Sequence, residues 1–180
     1  MSKVSNHIYL IVGRSGSGKT AIVEYIQNNF KNMTSIESYT TRPRRFDGET
    51  GHIFVTDEEF NKLTDFVAYT EFDGYRYAAT AQQVEENDFY VIDPAGIRYF
   101  LGHYKGQKVM HVVVIDAPLH VRFMRMCKRD GALKALKRIW HDRHAFSHVE
   151  DFADIIIRND GELHEAVSKL LSFIDSEERE

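Results

Sequence analysis

The sequence predicts an α/β domain in three layers, with a parallel core sheet between helices and a small inserted lobe. Two observations carry that expectation, and a third points to a local anion site. Apolar runs of strand length, Ile8–Val12, Asp88–Ile92, Val109–Ile115 and Ala153–Ile157, alternate with segments whose apolar residues recur at helical spacing. Between about residues 35 and 80 the alternation gives way to short strands around hairpin turns. From Leu119 to His144, eight Lys/Arg face two acidic residues, so this segment carries +6 while the rest of a chain of net charge −4 carries −10.

The first strand runs into Gly13-Arg14-Ser15-Gly16-Ser17-Gly18-Lys19-Thr20, which fits G-x-x-x-x-G-K-[ST] at every position. Its glycines let the backbone curl so that successive N–H groups face one concavity and hold phosphate oxygens. Lys19 reaches the outer phosphates and the Thr20 hydroxyl ligates Mg²⁺. Gly13, Ser15, Gly16, Ser17, Gly18, Lys19 and Thr20 are therefore the expected triphosphate-binding set. Ala21, Ile22, Tyr25, Ile26 and Phe30 then recur at helical spacing, and this helix aims its N-terminal dipole at the phosphates.

The lobe begins with Thr34–Thr41, read as a short strand containing Ile36 and Tyr39. Pro43 stops any helix there. Arg42, Arg44 and Arg45 put three guanidinium groups into four residues. Their rigid forks suit phosphate or carboxylate, the alternative being a solubilising surface loop. After the turn-rich Phe46–Gly51 come a strand, His52–Val55, and a helix start at Thr56, whose partner Glu59 completes a capping box. Phe66–Phe72 and Tyr75–Ala78 flank Asp73-Gly74, a strong hairpin signal. Tyr69, Phe72, Tyr75 and Tyr77 could stack a base; three of the four are assigned to the lobe's own core.

The parallel core resumes at Asp88–Ile92, which ends at Asp93-Pro94, and Pro94 suits the first turn of a helix through Tyr104. Val109–Ile115 is followed by a helix opened at Asp116-Ala117-Pro118 and broken at Asp130-Gly131. A helix from Ala132 to Phe146 carries the basic face, Ala153–Ile157 is the last strand, and Glu162–Ile174 the last helix. Like charges on the basic segment repel, so it should stand open and mobile until phosphates neutralise them. His141, His144 and His148 recur at near-helical spacing, but no acidic ligand set shares their face, so they read as helix-end histidines.

The 180 residues, 43% of them hydrophobic, make one domain with a core of its own. Apolar runs of about five to seven residues fall far short of a membrane span. The single cysteine, Cys127, lies in an amphipathic helix pattern and allows neither an internal disulfide nor a Cys-based metal cluster. That usage, and an N-terminus unlike a signal peptide, lead to the expectation of a cytoplasmic protein with no membrane and no nucleic-acid partner. Oligomeric state stays open.

With these pieces in order, the chain resembles the guanylate kinase family of nucleoside monophosphate kinases. The phosphate loop matches, Ser38-Tyr39-Thr40-Thr41-Arg42-Pro43-Arg44-Arg45 resembles S-x-T-T-R-x-x-R, and Gly74-Tyr75-Arg76-Tyr77 resembles the hairpin G-x-Y-Y. Ile92-Asp93-Pro94-Ala95-Gly96 resembles I-D-x-x-G, Arg125 to Arg129 and Arg138 resemble the lid's arginines, and Ile155–Asp160 resembles the family's V-I-V-N-D ending.

The resemblance implies a P-loop kinase fold with core 1–34, 81–124 and 147–180, acceptor-binding lobe 35–80 and lid 125–146. It implies ATP and Mg²⁺ as cofactors and phosphoryl transfer to a nucleoside monophosphate. Ser38, Arg42, Arg45 and Tyr77 would bind the acceptor's phosphate, Asp93 would sit near acceptor and metal, with Thr20 as the other metal ligand, and Lys19, Arg42, Arg125, Arg129 and Arg138 would act on the transferring group. The chain also departs from the family. Ala68 stands where a base-reading glutamate is expected, Gly51-His52-Ile53-Phe54 replaces a tyrosine-bearing loop, and Ala79 replaces a serine. Base choice, another small phosphorylated acceptor such as a sugar phosphate, and a non-catalytic binding module therefore stay open as alternatives.

Overall fold

Strand β1 (His7–Val12) sends Ile8, Leu10 and Val12 to one face of the central sheet and Tyr9 and Ile11 to the other, and all five are buried. That alternation of side chains in a strand covered on both faces fixes the layers. In the computed structural model, which describes residues 5–30 and 32–179, the chain continues through α1 (Lys19–Asn29), β2 (Ser38–Thr40), β3 (His52–Phe54), α2 (Asp57–Phe60), β4 (Phe66–Phe72) and β5 (Tyr75–Thr80). It goes on through α3 (Ala81–Glu86), β6 (Phe89–Val91), α4 (Pro94–His103), β7 (Val109–Asp116), α5 (Leu119–Asp130) and α6 (Ala132–Ala145). A 3-10 turn at Val149–Phe152, β8 (Ile155–Arg158) and α7 (Leu163–Glu177) complete it.

The core sheet has the order β6-β1-β7-β8 and all its pairs are parallel. Ile22, Val23 and Ile26 of α1 and Val167, Leu170 and Ile174 of α7 cover the face shown by Tyr9 and Ile11. Ile97 and Phe100 of α4 and Val84 of α3 cover the other. The three-layer expectation therefore holds. Phosphate-loop chemistry falls at the C-terminal end of β1, where open α/β sheets bind their ligands.

The lobe is a second, mixed sheet in the order β3-β2-β5-β4. Its hairpin turns on Asp73 (φ 53°) and Gly74 (φ 80°), both left-handed as a type I′ turn requires. The register of β4 shifts between Phe66 and Ala68, so one extra residue is accommodated and Val67 and Ala68 are both buried. Beyond the bulge, pairing sets Ala68, Thr70 and Phe72 on the face that carries Ala79, Tyr77 and Tyr75, and Tyr69 and Glu71 on the other.

Several expectations need correction. Ile36 lies outside β2, and Ser35 instead bridges Phe89 at the edge of the core sheet. The last strand starts at Ile155 because Ala153 closes the 3-10 turn. None of Tyr69, Phe72, Tyr75 and Tyr77 is a buried core residue; Val67, Ala68 and Ala79 pack into the main apolar cluster with Ile8 and Leu10 of β1, and Phe60 and Ala78 are buried in the lobe. Helix α3, opened by a Thr80–Gln83 capping box, has no counterpart in the sequence reading.

Candidate active site

Three glycines of the phosphate loop are boxed in. A Cβ on Gly13 would strike the Ile115 carbonyl, one on Gly16 the backbone of Arg122, and one on Gly18 the amide of Asn159, while Gly16 and Gly18 also hold φ of 79° and 97°. Sheet, α5 and the turn after β8 thus press the loop into shape. Among the described residues, the amides of Gly16, Gly18, Lys19 and Thr20 donate to no protein group, and the buried Ser17 hydroxyl has no partner. Unsatisfied donors converging on a helix N-terminus form an anion cradle, so the loop fits a nucleotide's phosphates. Lys19 turns back, its Nζ donating to the carbonyls of Gly13 (2.5 Å) and Arg14 (3.4 Å). Burial pushes this ammonium down to about 8, opposed by Asp142 and reinforced by Arg129, Arg122 and Arg138.

In the lobe, the arginine cluster encloses a carboxylate. Glu49 accepts from Arg42 Nη2 at 2.8 Å, from Arg42 Nη1 at 3.3 Å and from the Arg45 amide at 2.7 Å, and its backbone carbonyl accepts from Arg44. Arg42 and Arg44 both lie over the Phe54 ring, at 5.2 and 4.3 Å. Arg45 also approaches this carboxylate, its Nη1 3.8 Å from Glu49 Oε1, while its side chain stays 58% exposed. Ser38 Oγ and His52 Nδ1 lie 2.9 Å apart, and His52 stands edge-on to Tyr77 at 5.6 Å. Ser38, Arg42, Arg45 and Tyr77 therefore meet on one side of the lobe, with His52 and Glu49 added to them.

The lid is docked. Asp142 of α6 accepts from the Ser15 amide (2.7 Å) and Ser15 hydroxyl (3.1 Å) of the phosphate loop, and its carboxylate lies 3.5 Å from buried Arg122. Arg14 binds Glu150 and the Phe146 carbonyl, and Phe72 at the hairpin tip meets His141 of α6 edge-on at 4.8 Å. The expectation of an open lid is corrected for an electrostatic reason. Asp142 supplies the counter-charge that clustered cations would otherwise await from a ligand.

Arg122, Arg125 and Arg129 share one face of α5. Arg122 joins Asp142 and the carbonyls of Ala117 and Ser15. Arg125 donates through Nη1 to the carbonyls of Gly16, Ser17 and Asn159, which braces the loop. Arg129 pairs with Asp130, and Arg138 approaches the same carboxylate at 3.7 Å. Burial lowers the Arg138 pKa, and Arg129 and Arg45 lower it further against the opposing carboxylates of Asp130 and Asp142. Asp93 caps α4, its Oδ1 accepting from the Gly96 amide at 2.6 Å, while Thr20 is exposed on the first turn of α1. Among the described residues no cluster of three His, Cys, Asp or Glu side chains could hold a metal alone, so any Mg²⁺ here would need phosphate oxygens to complete its shell.

Comparison with known proteins adds to this geometry. The profile described as guanylate kinase matches residues 5–177. The chain belongs to the guanylate kinase family. The guanylate kinase of Thermotoga maritima is 26% identical over 97% of this chain and 88% of that protein, and that of Nitrosomonas europaea is 25% identical over 94% and 89%. The crystal structure of guanylate kinase from Anaplasma phagocytophilum superposes with a TM-score of 0.63 at 19% identity, covering 98% of this chain and 89% of that one, which establishes the shared fold. Ala68 and Ala79 face each other across the hairpin, both buried, where the resemblance implies a base-reading glutamate and a serine. Glu71 is on the opposite face, exposed and bonded to the Tyr69 hydroxyl. Among the described residues no helix is long and apolar enough to cross a membrane.

Proposed function

We propose that this guanylate kinase family member catalyses ATP-dependent phosphoryl transfer to a nucleoside monophosphate, with a base preference weaker than a carboxylate reader would give. The observation that carries the reading is the phosphate-loop cradle, in which the amides of Gly16, Gly18, Lys19 and Thr20 donate to no protein group among the described residues and stand at the N-terminus of α1. A second anion would be drawn to the arginines of the lobe and of α5 and α6. An oxygen of the acceptor phosphate then attacks the γ-phosphorus of ATP as the bond to the β–γ bridging oxygen breaks. Loop amides and Lys19 would hold the donor phosphates, Arg45, Ser38 and Tyr77 the acceptor phosphate, and Arg129 and Arg138 the charge spread over the moving group. Arg42 acts on the acceptor through the loop it fixes with Glu49, and Arg125 through the loop it braces. The Thr20 hydroxyl and Asp93 would hold Mg²⁺, which would supply positive charge to the donor phosphates. Closure of α6 over the seated phosphates would exclude water that would otherwise hydrolyse ATP.

The buried alanines support a second reading, an acceptor without a base, such as a sugar phosphate, because Ala68 and Ala79 offer no hydrogen bond to a base edge. An intact Lys19 speaks against a binding module. The test is a coupled assay of ADP formation across nucleoside monophosphates and sugar phosphates. Turnover with at least one nucleoside monophosphate is expected, and turnover with sugar phosphates alone would overturn the first reading in favour of the second.

A further inference from the structure

The geometry points to Asp142 as an internal competitor for the phosphate loop, a lid carboxylate that must withdraw before a nucleotide's phosphates are fully seated. This rests on reading Gly13–Thr20 as the nucleotide site. The two oxygens of Asp142 receive the Ser15 amide at 2.7 Å and the Ser15 hydroxyl at 3.1 Å, as two oxygens of a phosphate would. The residue is 4% exposed, and the cations that feel it are Arg122 and Lys19 beside the loop and Arg138 on its own helix. A triphosphate brought into the same concavity places like charges together out of water, which strongly disfavours their joint occupancy.

The lid is built to let go. Helix α6 starts directly after Gly131 (φ 85°), and the chain beyond its end turns at His148 (φ 66°), so left-handed residues stand near both ends of one rigid segment. Leu133, Leu136 and Trp140 of α6 are exposed, and its apolar anchorage is confined to the buried Ala135 and to Ala145 and Phe146 at its C-terminal end. The contacts holding α6 to the loop are polar, and Asp142 is the residue that reaches the loop's own donors.

The full chain and its Asp142→Asn and Asp142→Ala variants test this by two readouts: hydrogen exchange of residues 132–145 without nucleotide, and the ATP dissociation constant without acceptor. Exchange in α6 is expected to rise about tenfold in Asp142→Ala, and ATP to bind about tenfold more tightly, with Asp142→Asn between. Asp142→Asn keeps the side chain's shape and so covers the case of an unstable alanine variant. Unchanged α6 protection in both variants would overturn the inference, as would weaker ATP binding at unchanged melting temperature. If α6 loosens in the variants and no form binds ATP, the latch stands and the nucleotide reading fails.

Discussion

Glu49 lies in the fork of Arg42, its oxygens 2.8 and 3.3 Å from the two terminal nitrogens, and both side chains are buried. The arginine cluster is thus partly a scaffold. One buried ion pair, closed by the Arg45 amide, folds the loop that carries Arg44 and Arg45.

Removing one partner of such a pair leaves the other charge buried. Glu49→Gln is therefore expected to destabilise the protein by about 2–4 kcal/mol, measured by urea unfolding at pH 7. A loss within about 0.5 kcal/mol would show the pair to be incidental.

The same pair fixes an acid dependence. Hydrogen bonds from Arg42, and then from the Arg45 amide, hold the Glu49 carboxyl at about 2, against 4.5 ordinarily. A depressed folded value means that its stabilisation is complete above about pH 4.5 and lost as pH falls towards 2. The slope of unfolding free energy across that window should be shallower in Glu49→Gln. Identical slopes would assign the acid sensitivity to other carboxylates.

Lys19 should act on rate, not fold. Lys19→Ala is expected to lower turnover by about two to three orders of magnitude, because it removes a preorganised charge from the donor phosphates. Its melting temperature should not fall, since in the protein alone the ammonium is desolvated and opposed by neighbouring arginines. Retained turnover would remove the assigned role.

Burial also gives Lys19 a pH signature. With the ammonium lowered to about 8, nucleotide binding must recruit a proton above that pH, so ATP affinity should weaken up to tenfold per pH unit there. Titration calorimetry in buffers of different ionisation enthalpy would detect the proton taken up. No uptake at pH 9 would contradict a lysine near 8.

Ala68 lies in the main apolar cluster. Ala68→Glu is expected to lower stability by about 2–5 kcal/mol, because it drives a carboxylate into a packed interior. A stable Ala68→Glu protein with sharpened GMP preference would show instead that the base pocket reaches this position.

Legibility from sequence follows locality. The phosphate loop is legible because its chemistry needs glycines, lysine and threonine at fixed neighbouring offsets, and the hairpin because Asp73-Gly74 sets its own dihedral angles. The arginine cluster is legible for the same reason. Its carboxylate partner is not, because Glu49 is chosen by how a turn-rich loop folds back. Asp142 is further out of reach, since it meets Ser15 across 127 residues of chain. Arg122 has a readable signal, the spacing of three and seven residues to Arg125 and Arg129 that sets all three on one helix face. Helix α3 has one too, the Thr80–Gln83 box, but six residues are too few for helical periodicity to be seen. The position of Glu71 behind the sheet follows from its odd spacing to Ala68, because the β4 bulge lies before Ala68 and leaves the later register intact.

The most direct measurement is transfer of labelled γ-phosphate from ATP to a panel of GMP, dGMP, AMP, CMP and UMP under one set of conditions. Labelled diphosphate is expected from at least one of them, with kcat/KM for GMP within about a hundredfold of the others, far short of the ~10⁴ that a buried hydrogen-bonding reader achieves. Absence of labelled product with every nucleoside monophosphate, or strict GMP specificity that Glu71→Ala destroys, would contradict the account.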